Sequence, residues 1–180
     1  MGPKENLFVT KRNGRGKESL NIDKIHSMVE FATDGITGVS ASQVEMNSGI
    51  QFFDGISTED IQQILIKSAN DLISLENPNY QYVAARLLLF SLRKSLFHRL
   101  WEHPTLLKHI KTCVKKGVYD KAILEKYDES EIDRMNMWID HERDYNFTYA
   151  GLRQVIDKYL VQDRSSGEIY ETPQFMYMMI

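Results

Sequence analysis

A chain of 180 residues, 42% hydrophobic and 26% charged, has the composition of a globular protein with one domain, or with one small domain and part of another. Its net charge of −3 argues against non-specific nucleic-acid binding, so we expect no nucleic-acid partner. No segment reaches the roughly 18 apolar residues of a membrane span, and the N-terminus lacks the apolar core of a secretory signal, so no membrane association is expected. A single cysteine, Cys113, excludes a disulfide framework and a zinc ribbon and predicts a reducing, cytoplasmic location.

The first predicted element is a short β-hairpin. Two short strands, around Val9 and Glu18, flank Asn13-Gly14, a pair that readily adopts the positive φ values of a tight turn. The polar side chains of the hairpin and of the helix start behind it are Lys11, Arg12, Glu18, Asn21 and Lys24. Cations beside hydrogen-bonding groups suit a nucleotide pocket, and they equally suit a solvated hairpin with surface lysines. The hairpin alone does not separate the two hypotheses.

Four helices are predicted behind the hairpin. They run from Asp23 to about Thr33, from Ser40 or Ser42 to about Phe53, from Thr58 through Leu72, and from Asn77-Pro78 past Lys94. In the first and third segments, apolar residues recur every three or four positions, which is the spacing of one helix face. Ser57 stands three residues ahead of Asp60, close to a capping box, and Pro78 occupies the first helical position that proline favours. The hairpin and these helices are long enough to fold as one domain.

The helical pattern breaks between His98 and Pro104, and the segment behind the break has a different character. Its predicted helices are Leu106–Lys116, Asp120–Tyr127, Ser130 to about Asp144, Tyr149–Tyr159 and one that begins at Thr172-Pro173, with a second hairpin around 163–167 before the last. The last helix has only about two turns before Ile180, which is marginal for an isolated helix. The sequence therefore predicts two domains, 7–98 and 99–180, and favours a truncated chain over a natural short product.

No catalytic site is predicted in this chain. Cys113 is interpreted as a small buried residue on an amphipathic helix. His98, His103 and His109 lie near one another in the sequence but have no carboxylate at the spacing of metal ligands. We therefore expect no metal site either.

Several motifs carry a resemblance to a known family. The first part resembles the ATP cone, a regulatory nucleotide-binding module at the N-terminus of many ribonucleotide reductase large subunits, in the segments Val9–Gly14, Asn21–Ile25, Thr58–Ile61, Tyr80–Arg86 and Leu92–Lys94. The second part is similar to the start of the class I aerobic reductase in His141–Asp144, Phe147–Tyr149, Lys158–Val161 and Gly167–Phe175. The resemblance extends from about residue 7 to residue 180. The cone motif also occurs in other proteins, whereas its combination with Tyr-Glu-Thr-Pro-Gln-Phe at this spacing is specific.

The resemblance implies a mainly α fold, in which an ATP cone with a small sheet over a four-helix bundle is followed by a helical segment leading into a truncated α/β reductase barrel. It implies ATP or dATP as an allosteric effector at the overall activity site, and it allows Mg²⁺ alongside the nucleotide. The implied function is control of ribonucleotide reduction for deoxyribonucleotide synthesis. The implied partners are the remainder of the alpha subunit, a second alpha subunit and the radical-generating beta subunit. Reductases of this class use several cysteines, so Cys113 alone predicts that this segment is catalytically inactive.

The resemblance assigns phosphate contacts to Lys11, Lys24 and Lys94. A triphosphate carries roughly four negative charges, which separated ammonium groups can share. Thr58 would add a hydroxyl at a helix N-terminus, beside backbone N–H groups. Each assignment has a structural alternative, since Lys94 also suits a helix C-terminus and Thr58 also suits a helix cap.

For the base and sugar, the resemblance implies contacts from Glu18 and Asn21, although Asn21 also suits a turn. Val9 and Ile61 would form apolar walls of the pocket. Arg12 and Ile25 complete the implied set.

The chain departs from the family pattern at two positions. Gln62 and Ser91 stand where related bacterial proteins carry imidazoles, and the hairpin has an extra residue around 15–17. The departures leave nucleotide binding as the expected function but leave dATP inhibition open. Two alternatives also stay open: a free-standing nucleotide-sensing module, and an interaction domain whose cone no longer binds nucleotide.

Overall fold

A computed structural model describes residues 7–11, 16–49, 51–98 and 102–180. By their contacts these residues form two compact units, which are described separately. The first unit contains the described residues up to Ser91 together with Phe147–Ala150, and the second contains those of Leu92–Asn146 and Gly151–Ile180. The predicted mainly helical fold with a small antiparallel sheet is confirmed. The domain boundary between residues 98 and 99, the four-helix bundle and the continuation into a barrel stay predictions.

The early elements follow the predicted order. They are β1 (Phe8–Thr10), β2 (Lys17–Ser19), α1 (Ile22–Thr33), α2 (Ala41–Gly49), α3 (Thr58–Asp71) and α4 (Tyr80–Phe97). β1 and β2 pair antiparallel with Val9 opposite Glu18. The predicted Asn13-Gly14 turn and the candidate residue Arg12 lie outside the described residues.

Two predicted boundaries in the first unit were wrong. α2 ends at Gly49 rather than near Phe53, and a turn with Gly55 at φ +84° follows it. α4 begins at Tyr80, because Pro78 lies in a preceding turn whose carbonyl accepts a hydrogen bond from Gln81 N. The hydrophobic core of the unit contains Val29, Ala32, Val44, Ile56, Leu65, Ala69, Val83 and Leu87, each essentially inaccessible to solvent. Burial of each valine, leucine or isoleucine side chain among them contributes roughly 1.5–3 kcal/mol.

The later helices are shorter than predicted, except the last, which begins at the predicted Thr172-Pro173. They are α5 (Leu106–Lys115), α6 (Ala122–Lys126), α7 (Glu129–Asn136), a 3₁₀ helix (His141–Asn146), α8 (Tyr149–Lys158) and α9 (Pro173–Met179). The hairpin predicted around 163–167 is present in a minimal form: a single antiparallel bridge joins Gln162 to Ile169, and Tyr170 N donates to Val161 O at 3.0 Å.

The long helix predicted from Ser130 to Asp144 was wrong, because the chain forms α7 and a separate 3₁₀ helix. Trp138 N donates to Met135 O, a tightened hydrogen bond of the kind that ends α-helices. The Asn136 side chain accepts a hydrogen bond from Leu106 N at 2.7 Å, so the end of α7 is also tied to the start of α5.

Phe175 is central to the core of the second unit. It is fully buried and belongs to one cluster with Leu106, Ile110 and Ile132. Its ring stacks on His109 with centroids 4.2 Å apart and meets Phe97 edge-on at 6.3 Å. Among the described residues, no helix is long and apolar enough to cross a membrane.

Candidate functional site

Strand β1 is hydrogen-bonded on both of its edges. One edge pairs with β2, and the other meets the segment that leads into α3. There, Thr10 N donates to Ile56 O at 2.9 Å and Gly55 N donates to Phe8 O at 2.8 Å. The hairpin is therefore fixed to the segment before α3 by backbone hydrogen bonds.

A parallel bridge between Thr10 and Ser57 brings two candidate residues together. Residues that follow a parallel bridge on its two strands are neighbours. Lys11 follows Thr10 and Thr58 follows Ser57, so an ammonium group and a hydroxyl group occur at the same end of β1.

Two side chains that the sequence analysis missed reinforce this junction. Asp54 Oδ1 accepts a hydrogen bond from Phe8 N at 2.8 Å, and Thr10 Oγ1 donates to Gly55 O at 3.2 Å. The only local signal was the turn-forming pair Asp54-Gly55, which indicates a chain reversal but not the strand that it contacts.

The N-terminus of α3 has the cap that the sequence predicted. Ser57 Oγ accepts a hydrogen bond from Asp60 N at 2.9 Å and donates to the Asp60 carboxylate at 2.7 Å. Thr58 is therefore the first helical residue rather than the cap. The first N–H groups of an α-helix have no acceptor within the helix, and the helix dipole is positive there, so this terminus favours an anion.

Lys11 forms an ion pair with Glu18 across the hairpin, with Nζ 3.1 Å from Oε2. Both side chains are substantially exposed to solvent. Such a pair contributes only about 0–1 kcal/mol, so the Lys11 ammonium can exchange this carboxylate for a more highly charged anion at little cost.

The start of α1 adds three more candidates to the same unit. Asn21 is the N-cap of α1, and its Oδ1 accepts a hydrogen bond from Lys24 N at 2.9 Å. Lys24 is exposed in the first turn, and Ile25 is half-buried. β2 leads directly into this helix. Leu20, which lies between them, donates its N–H to Leu7 O at 2.7 Å and so belongs to the hairpin. Two helix N-termini are thus attached to one hairpin.

The apolar candidates Val9 and Ile61 are 3% and 5% exposed, so they belong to the hydrophobic layer beneath the hairpin rather than to its surface. Gln62, one of the two departures from the family pattern, is also buried, and its amide nitrogen lies 3.7 Å from Met28 Sδ. Ser91, the other departure, is buried on α4. Lys94 is half-buried near the end of α4 and belongs to the second unit.

The second unit contains a buried chain of polar groups. Tyr119 OH donates to Glu171 Oε2, and the other carboxylate oxygen accepts from Val161 N at 2.8 Å. His109 Nε2 lies 3.2 Å from Tyr119 OH. Because the single hydroxyl proton of Tyr119 is used by Glu171, His109 Nε2 must be the donor in its contact with Tyr119.

Burial is the main cause of the shifted pKa values of three histidines and the cysteine in the second unit. It lowers the pKa of His109 and of His103 to about 4 and raises the pKa of Cys113 to about 11. It lowers the pKa of His141, which stacks on His103 at 3.8 Å, to about 3. At pH 7 these imidazoles are neutral and the thiol is protonated, so they act as packing residues. The prediction that Cys113 is a small buried residue is confirmed.

Comparison with known proteins identifies both parts of the chain. Residues 7–95 match the family model of the ATP cone domain. The chain is 49% identical over 176 residues to the ribonucleoside-diphosphate reductase 1 subunit alpha of Escherichia coli (strain K12), covering 98% of this chain and 23% of that protein. The ribonucleoside-diphosphate reductase subunit alpha of Haemophilus influenzae is 48% identical over 176 residues, with the same coverage. The subunit alpha of Enterobacteria phage T4 is 44% identical over 163 residues, covering 91% of this chain and 21% of the phage protein. The chain thus spans less than a quarter of the length of these relatives.

Proposed function

We propose that this chain is part of a ribonucleoside-diphosphate reductase alpha subunit, like the relatives that it resembles, and that the part matching the ATP cone domain, residues 7–95, binds ATP or dATP as an allosteric effector. What supports the proposal is the parallel bridge between Thr10 and Ser57, since Lys11 and Thr58 are the residues that follow its two members in the sequence. A cation, a hydroxyl and the positive end of a helix dipole in one place form a suitable environment for phosphate.

In this proposal the triphosphate binds to Lys11, Lys24 and Lys94, with the Thr58 hydroxyl as a further donor. Lys11 releases Glu18 when phosphate arrives, because a phosphate carries more charge than a half-exposed carboxylate. Lys24 is exposed and needs no rearrangement to reach an anion. Lys94 joins the set on the family resemblance.

The adenine and sugar are assigned to Glu18 and Asn21. Glu18 accepts hydrogen bonds, which suits the exocyclic amino group of adenine. Asn21 uses its side-chain oxygen to cap α1, so it would contact the ligand through its amide nitrogen. Val9 and Ile61 form the apolar floor with Ile25 at its edge.

Arg12 belongs to the proposed set through its position in the hairpin sequence.

Mg²⁺ would be held mainly by the phosphates, since Mg²⁺ usually keeps several waters and binds one or two carboxylates together with substrate phosphates. Among the described residues, no three His, Cys, Asp or Glu side chains are grouped to hold a metal ion.

For the whole protein, we propose control of ribonucleotide reduction in the cytoplasm, through association with a second alpha subunit and with a radical-generating beta subunit. Catalysis would reside in the remainder of the alpha subunit. Because the buried Gln62 and Ser91 stand where the family pattern has imidazoles, we propose nucleotide binding for this chain and do not extend the proposal to inhibition by dATP.

Thermal denaturation with a nucleotide panel tests the proposal. A ligand at 100 times its Kd stabilises the native state by about 2.7 kcal/mol, which raises the midpoint of unfolding by several degrees. ATP and dATP should each give this shift, and inorganic triphosphate should give a smaller one because it lacks the base. No shift with either adenine nucleotide would contradict nucleotide binding and favour an interaction domain instead.

A further inference from the structure

The position of the β-hairpin relative to α3 depends on one edge of β1. Pairing with β2 holds the two strands together but leaves open where the hairpin as a whole lies. That position is set by the contacts between β1 and residues 54–57, two of which are backbone hydrogen bonds, from Gly55 N to Phe8 O and from Thr10 N to Ile56 O. Every residue of a strand except proline offers such groups. Backbone bonds alone therefore do not determine which residue of β1 lies opposite which residue of the segment.

The apolar pattern of β1 also allows more than one register. Side chains alternate between the two faces of a strand, so a shift by two residues keeps the same face toward the core. In such a shift Leu7, which is half-buried, would take the buried place of Val9. Lys11 would then be displaced by about 7 Å along the strand. The opposite shift would bring Lys11 itself into the buried place of Val9, which the cost of burying an ammonium group opposes.

Two side-chain hydrogen bonds add to the backbone bonds of this edge. Thr10 Oγ1 donates to Gly55 O at 3.2 Å, and in the shifted register its place would be taken by Phe8, which has no hydroxyl. Asp54 Oδ1 accepts from Phe8 N at 2.8 Å, beside the bond from Gly55 N to Phe8 O. The bond from Thr10 is therefore specific to the observed register, and the bond to Asp54 attaches the strand to the turn before α3.

We propose that Thr10 and Asp54 are positioning residues of the proposed nucleotide site. Thr10 sets the register of β1 and Asp54 attaches the strand. Together they keep Lys11 level with Thr58, the residue that follows the other member of the Thr10–Ser57 bridge. Neither side chain needs to touch the nucleotide. The inference rests on the proposed function, because only a bound phosphate gives the position of Lys11 a purpose.

Calorimetric titration of ATP into variants of the full 180-residue chain tests the role of Thr10. Thr10→Val keeps a β-branched side chain, which strands favour, but removes the hydroxyl. If the observed register is then populated only about a third to a tenth of the time, the apparent affinity falls by about threefold to tenfold. Thr10→Ser keeps the hydroxyl and should restore the affinity to within about twofold.

A pair of variants separates attachment by Asp54 from the effect of its charge. Asp54→Ala removes the acceptor of Phe8 N, so it should weaken ATP binding by about threefold to tenfold. Asp54→Asn loses the negative charge but keeps a side-chain oxygen that accepts a hydrogen bond, so it should bind ATP at least as tightly as the unmutated chain. If Asp54 acted only through its charge, both variants would bind ATP more tightly, which would contradict the attachment.

Nuclear Overhauser contacts between the backbones of residues 10 and 57 measure the register itself, because these residues form the bridge. The contacts should weaken in Thr10→Val and Asp54→Ala and persist in Thr10→Ser and Asp54→Asn. Val44→Ala is the control for general loss of stability, because it removes buried atoms from α2 in the same unit and leaves the hydrogen bonds of β1 in place. It should lower the midpoint of unfolding without changing the bridge contacts or the ATP affinity.

The outcomes distinguish the inference from the proposed function. Persistence of the bridge contacts in Thr10→Val and Asp54→Ala would overturn the inference alone, because these side chains would then not set the position of β1. Weakened contacts with unchanged ATP affinity would also overturn it, since the register would not matter to the nucleotide. Absence of ATP binding in the unmutated chain would overturn the proposed function and, with it, the purpose assigned to the register.

Discussion

Replacing His109 with glutamine should reduce the pH dependence of stability in the second unit. Burial against Phe175 lowers the pKa of His109 to about 4, whereas the unfolded imidazole titrates near 6.5. Folding therefore weakens proton binding, so the contribution of His109 to stability is complete above pH 6.5 and is lost as the pH falls toward 4. From these two values, the loss between pH 7.5 and pH 5 is about 2 kcal/mol. Glutamine does not titrate, so its variant should lack this part of the decrease.

Other groups titrate in the same range, so the test compares slopes rather than absolute stabilities. His103 and His141 have lowered pKa values and act in the same direction as His109. Asp144 has a pKa raised to about 6, and Glu171 also has a raised pKa, so these two groups act in the opposite direction. At each pH, the free energy of unfolding of the variant is subtracted from that of the unmutated protein. The difference isolates the contribution of His109 when these sites titrate independently.

Urea unfolding at pH 7.5, 6.5, 5.5 and 5 measures the effect. Hydrogen exchange at the amides of α5, the helix that carries His109, reports the unfolding of the second unit. Ile132→Val is the control, because it changes the core of the same unit without touching a titratable group and should leave the slope unchanged. Equal pH dependence in His109→Gln and in the unmutated chain, within about 0.5 kcal/mol, would refute the reasoning from burial.

Three further predictions concern the hairpin, the core of the second unit and the cap of α3. Glu18→Gln should raise ATP affinity by up to about fivefold, because Lys11 no longer has to leave a carboxylate. A loss of affinity in calorimetry would contradict this and would mean that the charge of Glu18 itself supports ligand binding. Phe175→Ala should lower the free energy of unfolding of the second unit by about 3–5 kcal/mol in urea, and a loss below about 1 kcal/mol would contradict its central packing role. Ser57→Ala should lower the stability of the first unit by about 1 kcal/mol through loss of the α3 cap, whereas Ser57→Thr should retain most of it; equal stability of all three chains would exclude the cap.

The sequence predicts the elements whose signals are local. α3 begins where Ser57 and Asp60 predict it, because a helix cap depends on residues within one turn. The prediction of one helix from Ser130 to Asp144 was wrong because the interruption of this segment involves residues outside it. Its interruption coincides with a hydrogen bond from Leu106 N to Asn136 and one from Arg93 to His141, both from residues far away in the sequence.

The candidate site shows the same difference between local signals and contacts with distant residues. The resemblance supplied the residues, but the contact between β1 and the segment before α3 has no local sequence signal, since it joins residues 45 or more positions apart. The Glu-Thr-Pro-Gln-Phe motif was recognised without a physical explanation. The structure supplies one: Glu171 accepts from Tyr119, Gln174 donates to Asp144, and Phe175 fills the core.

Calorimetric titration of ATP into the unmutated chain and into the Lys11→Ala, Lys94→Ala double variant tests the central claim most directly. Hydrogen bonds to charged groups contribute roughly 1.5–3 kcal/mol each, so losing two ammonium groups should weaken binding by more than about 100-fold. Lys67→Ala is the control, since Lys67 is an exposed lysine on α3 paired with Asp71. ATP should bind to the unmutated chain and to Lys67→Ala, and its binding should be abolished or strongly weakened in the double variant. Equal affinity in all three chains would contradict it.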